Sequence, residues 1–522
     1  MRYLRNSFAV LVVLGLLASA CAVPDGEVAA SGGNYCVEEA PREIDFSVLN
    51  DAYQAIADHS IYFDEDKVNV RSLYAGVEEA FWGSLGVRAG AIPAWSHELI
   101  EAQLAIGVID FSVIQQIFAQ AAQDDRYARL RDPRFQSSLL EIAINGFINA
   151  LKDPFANYTP AENLGASGTS LEGGYVGFGF QLDHNDRNEF VISSVFAGQP
   201  AELAGLRAGD VILAVDDKSV DTCSQGALMQ NLIGPEGSSI TMTVKRLSGE
   251  VADLLMTRGR VKQLDVTSWP GAELNGGRGS TADELPFAAP LRDREGNEAT
   301  GIAYIRFRSF TIQGGQDLIE TLRQMPPSAY ANGIVLDLRG NGGGLLNVAD
   351  WLADLFYLDS APFFVETRRQ GNRPYSTSNI LTLAGQVPLV VLVGRDPYDQ
   401  RGSSDNSYSA SELIASTFKD NQRALLIGES VTGGKGTINN HIPLRDGEYG
   451  EIYIAIGFFS GNDGTPIQGE DLDGDDFYDT GGVAPHIIVE WTDEDFSMAR
   501  RNPNWDPVLF RAIEALRAGE AG

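Results

Sequence analysis

Two glycine-rich stretches supply the groups from which a reaction centre can be built. In Val335-Leu336-Asp337-Leu338-Arg339-Gly340-Asn341-Gly342-Gly343-Gly344-Leu345, an apolar strand runs into a glycine turn and then a helical stretch. Such a turn exposes backbone N–H groups that can hold an anion or a developing oxyanion. The dinucleotide pattern fails, because Leu345 stands where its third glycine belongs. In the second stretch, Ser407-Tyr408-Ser409-Ala410-Ser411-Glu412 opens a helix and Gly433-Gly434-Lys435-Gly436-Thr437 follows the next strand. A phosphate loop is excluded, since Glu429 replaces its first glycine and Gly436, not Ser or Thr, follows the lysine. A serine at a helix start is most often a cap, and a single lysine is most often solvated. On spacing alone, Ser409 with Lys435 is weak evidence. Histidine-based hydrolysis fares worse: none of His59, His97, His184, His441 and His486 lies in a nucleophile elbow, and there is no G-x-S-x-G.

The elements that position these groups fall into blocks. From Ile44 to about Leu164 the apolar spacing is helical; Leu139, Ile142, Ile144, Phe147, Ile148 and Leu151 form one stripe, stopped at Asp153-Pro154. From Gly173 the period shortens to strands at Phe190–Val195, Asp210–Val215 and Ile240–Val244, with Pro200–Leu206 as a short helix between them. Residues 264–299, rich in Gly, Pro and charge, read as a linker or surface insertion. After that come strands at Gly301–Phe307, Gly333–Leu338, Leu389–Val393 and Ala424–Ile427. Helices are expected near Gln316–Gln324, Leu346–Leu358 and Ser411–Lys419, which makes a layered β/α domain. Asp506-Pro507 opens a final helix.

The start of the chain reads as an address. Met-Arg-Tyr-Leu-Arg precedes an apolar run, Phe8–Leu17, too short to span a bilayer, and then Ala18-Ser19-Ala20-Cys21. That last segment resembles a bacterial lipobox, with Cys21 as the lipidated residue; the alternative is cleavage that leaves a soluble periplasmic protein. Lipidation would face the protein toward the periplasm from the cell envelope, with the outer membrane favoured. The 522 residues carry 71 acidic and 39 basic side chains, a net charge of −32, which argues against nucleic acid as a partner. Only three cysteines are present, too few for a disulfide scaffold, although an oxidising compartment permits a Cys36–Cys223 bridge.

Taken together and in order, the motifs resemble the carboxyl-terminal processing peptidases, or tail-specific proteases, from about residue 45 to the end. Leu151-Lys152-Asp153-Pro154-Phe155 to Tyr158 is similar to the element ahead of that family's PDZ domain. Gly173–Phe180 and Ala201–Val215 resemble its PDZ segments. Asp337–Gly344, Ser409–Glu412 and Gly434–Thr437 resemble its oxyanion, nucleophile and lysine motifs, and Pro466–Gly469 with Gly482–Pro485 its closing segment. The resemblance implies a multidomain α/β protein: a signal peptide (1–21), a tether (22–44), a helical N-terminal domain (45–165), a PDZ domain (168–262) and a crotonase/ClpP-like core (263–522).

It also implies a mechanism. Ser409 is the nucleophile, Lys435 the general base, and the amides of Gly344 and Ala410 the oxyanion hole. Asn439, where the family commonly has a glutamine, is the residue that would orient the lysine. The Gly177-Phe178-Gly179-Phe180 segment would hold a substrate C-terminus, with the two phenylalanines pointing to apolar tails. The lysine must be neutral to act; lowering it from ~10.4 to ~7 costs roughly 4.6 kcal/mol, a shift that burial can supply. No cofactor is required. Asp471, Asp473, Asp475 and Asp479 surround Gly474 in a loop read as solvated and acidic, with a structural calcium loop as the alternative. Asn439 and a long loop before Ser409 motivate a second functional reading, a catalytically silent PDZ-bearing envelope adaptor.

Overall fold

The computed structural model describes residues 45–63, 69–132, 135–136, 138–161, 174–185, 189–196, 198–220, 223, 228–229, 232–262, 265–271, 289–396, 406–470, 480–502 and 504–521. Among them, no helix is long and apolar enough to cross a membrane.

The first block is helical as expected, with helices at Val48–His59, Val70–Ser84, Ala94–Ile106, Val113–Ala121 and Leu139–Leu151. Asn69 caps the second by accepting from the Ser72 amide, and Gly107 in the left-handed region ends the third. The second and last of these helices cross at Gly76 and Gly146. A Cβ on Gly76 would stand 2.4 Å from the Gly146 carbonyl, so only glycine permits the approach. Tyr74, Phe111 and Phe147 fill the space beside the crossing.

This block does not close on itself. After Leu151, Lys152 turns through the left-handed region and Asp153-Pro154 leads into β1 (Asn157–Thr159). Strand β1 pairs antiparallel with β18 (Glu451–Ser460), and Leu444, Ile452 and Ile454 complete the helical core. The helical block and the last third of the chain therefore share one apolar cluster.

The second block holds β2 (Gly174–Gly177) paired with β9 (Gly259–Lys262), and a sheet ordered β3-β4-β5-β7-β8. Its strands are β3 (Phe180–His184), β4 (Phe190–Val195), β5 (Val211–Val215), β7 (Ser239–Lys245) and β8 (Val251–Thr257), with β6 (Lys218–Ser219) added to β5. Strand β3 lies at the end of the order. Phe178, Phe180, Ile192, Ile212, Met242 and Met256 form the core.

The third block is a six-stranded sheet, β10-β11-β12-β15-β16-β19, built from Val266–Trp269, Ile302–Phe307, Gly333–Asp337, Leu389–Val393, Leu425–Gly428 and Ile487–Ile488. All neighbours after β10 run parallel. Every residue of β12 and β15 is buried, as strands covered on both faces must be. Alternate residues face opposite layers: Ile334, Leu336, Leu389 and Val391 pack with helices Ile312–Gln324, Leu346–Leu355 and Ala410–Asp420, while Val335, Val390 and Leu392 meet the last helix, Pro507–Ala518. A second sheet, β1-β18-β13-β14 with β17 (Thr437–Pro443) on β18, adds the hairpin of β13 (Pro362–Arg368) and β14 (Gly371–Ser376). The stretch read as a linker differs from expectation: it contains β10, whose Val266, Thr267 and Ser268 are buried against β11.

One buried ion cluster ties the last helix to the glycine turn. Arg339 is buried and donates to Asp337 and, across the chain, to Asp506 at 2.8 Å; Asp506 also caps the last helix through the Val508 and Leu509 amides. Removing one partner from such a cluster leaves charge unpaired where water cannot reach. Asp506→Ala is expected to cost about 3 kcal/mol of stability, read as a lower urea midpoint at unchanged m-value.

Candidate active site

The site is built around a carboxylate. Glu412, in the first turn of helix Ala410–Asp420, is fully buried and accepts four hydrogen bonds. Oε2 takes the amides of Ser409 and Lys435, both at 2.8 Å. Oε1 takes the Gly434 amide at 2.6 Å and the Thr432 hydroxyl at 2.7 Å. Two main chains far apart in sequence thus meet on one oxygen. Burial pushes the Glu412 carboxyl up to about 7, while its donors pull the other way. Three of those donors are amides that can only donate, an arrangement matched to the ionised form.

Ser409 stands in a backbone conformation that L-residues rarely adopt, φ 56° and ψ −116°. Such a residue costs of order 1–3 kcal/mol and persists only where its surroundings fix it. Here the Tyr408 amide donates to the Asn341 carbonyl and the Ser409 amide to Glu412. The sharp turn leaves Ser409 half-buried at the helix N-terminus, whose dipole favours negative charge nearby.

Beside it runs the glycine turn. Gly343, at φ +96°, faces the serine directly: a Cβ there would lie 2.7 Å from the Ser409 Cβ and 2.9 Å from the Ala410 amide nitrogen. Phe310 fixes the turn from the other side, donating to the Gly343 carbonyl at 2.9 Å and accepting from the Leu345 amide at 2.8 Å. The Gly343 amide is taken by the Asn341 side chain. The amides of Gly344 and Ala410 make no hydrogen bond among the described residues, and the helix start carries one of them next to the serine. Two free amides beside a strained serine form the kind of cradle an oxyanion requires.

Lys435 is held by its neighbours as well. The Gly434 carbonyl accepts from Gly469, the Gly436 amide donates to the Gln468 side chain, and Thr432 accepts from Val483, so the closing segment braces the loop. Burial lowers the lysine's pKa from its ordinary value, opposed by the carboxylates of Asp153 and Glu412. Its Nζ lies 4.3 Å from the centroid of the Phe155 ring. Among the described residues no hydrogen bond joins Nζ to the Ser409 hydroxyl.

Comparison with known proteins places these motifs. The family model Peptidase family S41 matches residues 301–489, and the PDZ domain model matches 191–246. A carboxy-terminal-processing protease of Bartonella bacilliformis is 29% identical over 67% of this chain and 70% of its own length. One from Synechocystis sp. is 32% identical over 60% and 65%. A third, from Picosynechococcus sp., is 30% identical over 60% of this chain and 67% of its own length. This chain belongs to the carboxyl-terminal-processing proteases. It is a multidomain α/β serine-type peptidase with a PDZ domain, and it spans about two thirds of the length of these relatives.

Within this processing protease, the remaining sequence-derived positions divide. Asn439 follows a β-bulge between Ile438 and Asn439. Its Oδ1 accepts from Thr437 at 2.8 Å, and its Nδ2 is buried with no partner, so it makes no hydrogen bond to Lys435 among the described residues. His441, on β17, pairs with Glu451 on β18 and stacks at a tilt on Tyr453. In the PDZ domain the carbonyls of Phe178 and Gly179 accept from Ala201 and Phe196, which leaves their amides free among the described residues. Phe178 and Phe180 are buried in the domain's own core, so they do not line an open pocket for a tail as expected; Leu182, half-buried on β3, does reach the surface. Cys21, Cys36 and the acidic loop Asp471, Asp473, Asp475 and Asp479 lie outside the described residues, whereas Cys223 is disulfide-bonded. Among the described residues no group of three or more His, Cys, Asp or Glu is placed to hold a metal.

Glu412, Gly343 and Phe155 were not singled out by the sequence as parts of the site. A glutamate three residues after a serine at a helix start reads as a capping box, which is the signal that pointed to it without revealing its other three donors. Gly343→Ala is expected to retain the fold by circular dichroism while lowering kcat at least about 100-fold, because the new Cβ displaces the serine from the cradle.

Proposed function

We propose that this protein is an envelope endopeptidase that captures polypeptide C-termini on its PDZ domain and cleaves with a Ser409–Lys435 dyad. The single observation that carries the reading is the shared Glu412 oxygen, which draws the serine and lysine backbones together next to two free amides.

In the proposed reaction, neutral Lys435 takes the proton from the Ser409 hydroxyl as Oγ bonds to the substrate carbonyl carbon. The carbonyl electrons move onto oxygen, which the amides of Gly344 and Ala410 receive. On collapse the C–N bond breaks and Lys435 returns the proton to the leaving amine; the same lysine then activates the water that frees the acyl group. No cofactor enters these steps. The substrate C-terminus adds along β3, the last strand of its sheet, with its carboxylate on the Phe178 and Gly179 amides, and Leu182 favours apolar tails.

Ser409→Ala and Lys435→Ala are each expected to lower cleavage of an unfolded, apolar-tailed polypeptide at least about 1,000-fold. Wild-type kcat/KM should rise with pH to a midpoint below the ordinary lysine value of ~10.4, since only the neutral amine accepts the proton. Retained cleavage in both variants overturns the dyad. Binding of the tail without cleavage, and without labelling of Ser409 by a serine-reactive probe, supports the adaptor reading instead. Cys21 as a lipid anchor is tested separately: Cys21→Ala should move the expressed protein from the membrane to the soluble fraction, and an unchanged distribution removes the anchor.

A further inference from the structure

A buried carboxylate that acts electrostatically on Lys435 plays no part in the mechanism above. Asp153 closes the helical block, lies 282 positions before Lys435 in the chain, and is 5% exposed. Its Oδ1 accepts from the Phe155 amide at 3.0 Å and its Oδ2 from the Ala455 amide at 2.8 Å. Ala455 sits on β18 opposite Asn439, so the carboxylate is fastened to the strand pair that follows the lysine. Phe155, two residues on, presents its ring face to Lys435 Nζ at 4.3 Å. No hydrogen-bonding donor other than amides is spent on Asp153, and no arginine pairs with it among the described residues.

Asp153 makes no ion pair with Lys435 among the described residues; its charge acts on the amine across the buried interior, and that charge and the ring face act on the same species. A ring face and a carboxylate attract an ammonium and are indifferent to a neutral amine. The proposed reaction creates that ammonium at the moment the serine proton is transferred, in a site where burial already disfavours the charged amine. A carboxylate behind the base does the corresponding service in a Ser-His-Asp triad, where it stabilises the protonated imidazole without taking the proton.

We propose that Asp153 is a positioning residue of the active site: with the face of Phe155, it stabilises and orients the ammonium that Lys435 becomes on accepting the Ser409 proton. The helical block thereby supplies part of the reaction centre. This inference rests on the reading of Lys435 as the base. The ionisable groups around the lysine are few. Asp153 comes from the turn before β1, Glu412 from helix Ala410–Asp420, and Tyr453 from β18, where burial and Asp153 both raise its pKa. Asn439, Thr437 and Gln468 are the uncharged polar neighbours.

The sign of the effect separates this role from a structural one. Loss of the carboxylate leaves burial less opposed, so the lysine's pKa falls and the acid limb of the rate profile moves to lower pH. Loss of ammonium stabilisation in the transition state lowers the plateau at the same time. The test is kcat and KM as functions of pH for full-length wild type, Asp153→Asn, Phe155→Leu and Lys435→Ala on one peptide substrate. Asp153→Asn should shift the midpoint down by about one unit and lower the kcat plateau about tenfold or more, with KM little changed. Phe155→Leu, which keeps the apolar wall and removes the ring face, should shift it down by about half a unit. Should Asp153→Asn fail to fold, the Phe155→Leu shift still decides. Midpoints that stay at the wild-type value or rise, with Lys435→Ala inactive, overturn this inference alone. An active Lys435→Ala protein overturns the base assignment and this inference with it.

Discussion

One buried carboxylate holds the reaction centre together. Glu412 collects donors from the serine turn and, more than twenty residues on, from Thr432 and the lysine loop that follows it. A carboxylate in an apolar interior is costly unless every lone pair is used, and here four donors use them. The same bonds explain why Ser409 can remain in an unfavourable backbone conformation: its amide has a charged partner that no relaxed geometry would reach. The strain at Ser409 and the placement of the Lys435 loop are consequences of one interaction.

Around that point the fold contributes from every side. The parallel sheet carries β12 into the glycine turn, Phe310 clamps the turn so that Gly344 keeps its amide, and Arg339 links the turn's base to Asp506 and the last helix. The closing segment braces the lysine loop through Gln468 and Val483. From the helical block come β1, which extends the sheet by pairing with β18, and the Asp153–Phe155 turn. A single apolar cluster spans the helical block and β18, so the wall of the lysine site is as rigid as that shared core.

Much of this was legible in the sequence, and the rest was not for physical reasons. The buried strands β11, β12, β15 and β16 announce themselves as short apolar runs, and Ser409, Lys435 and the glycine turn by residue type and order. The helix expected near Gln316 begins earlier, because Thr311 caps it through the Gly314 amide. Strand β18 went unread, since Ile452, Ile454 and Ala455 gain their meaning only from pairing with β1 and β17. Pattern cannot supply a partner so distant. Asp153 read as a helix stop because the following proline accounts for that locally, while its role depends on a strand encountered much later. Three consecutive glycines gave no indication of which amide stays free; Phe310 decides that. Phe178 and Phe180 suggested a pocket, yet apolar side chains in a small domain are drawn first into its own core.

Catalysis as proposed requires an amine at position 435 that gives up its proton more readily than a solvated lysine. Isotope-edited NMR titration of that one side chain, in the full-length protein with Ser409 replaced by alanine to prevent self-cleavage, measures it without any substrate. A midpoint clearly below the ~10.4 of a free lysine is the predicted result. A midpoint at or above that value would mean the amine stays charged at working pH, and the serine would have no base.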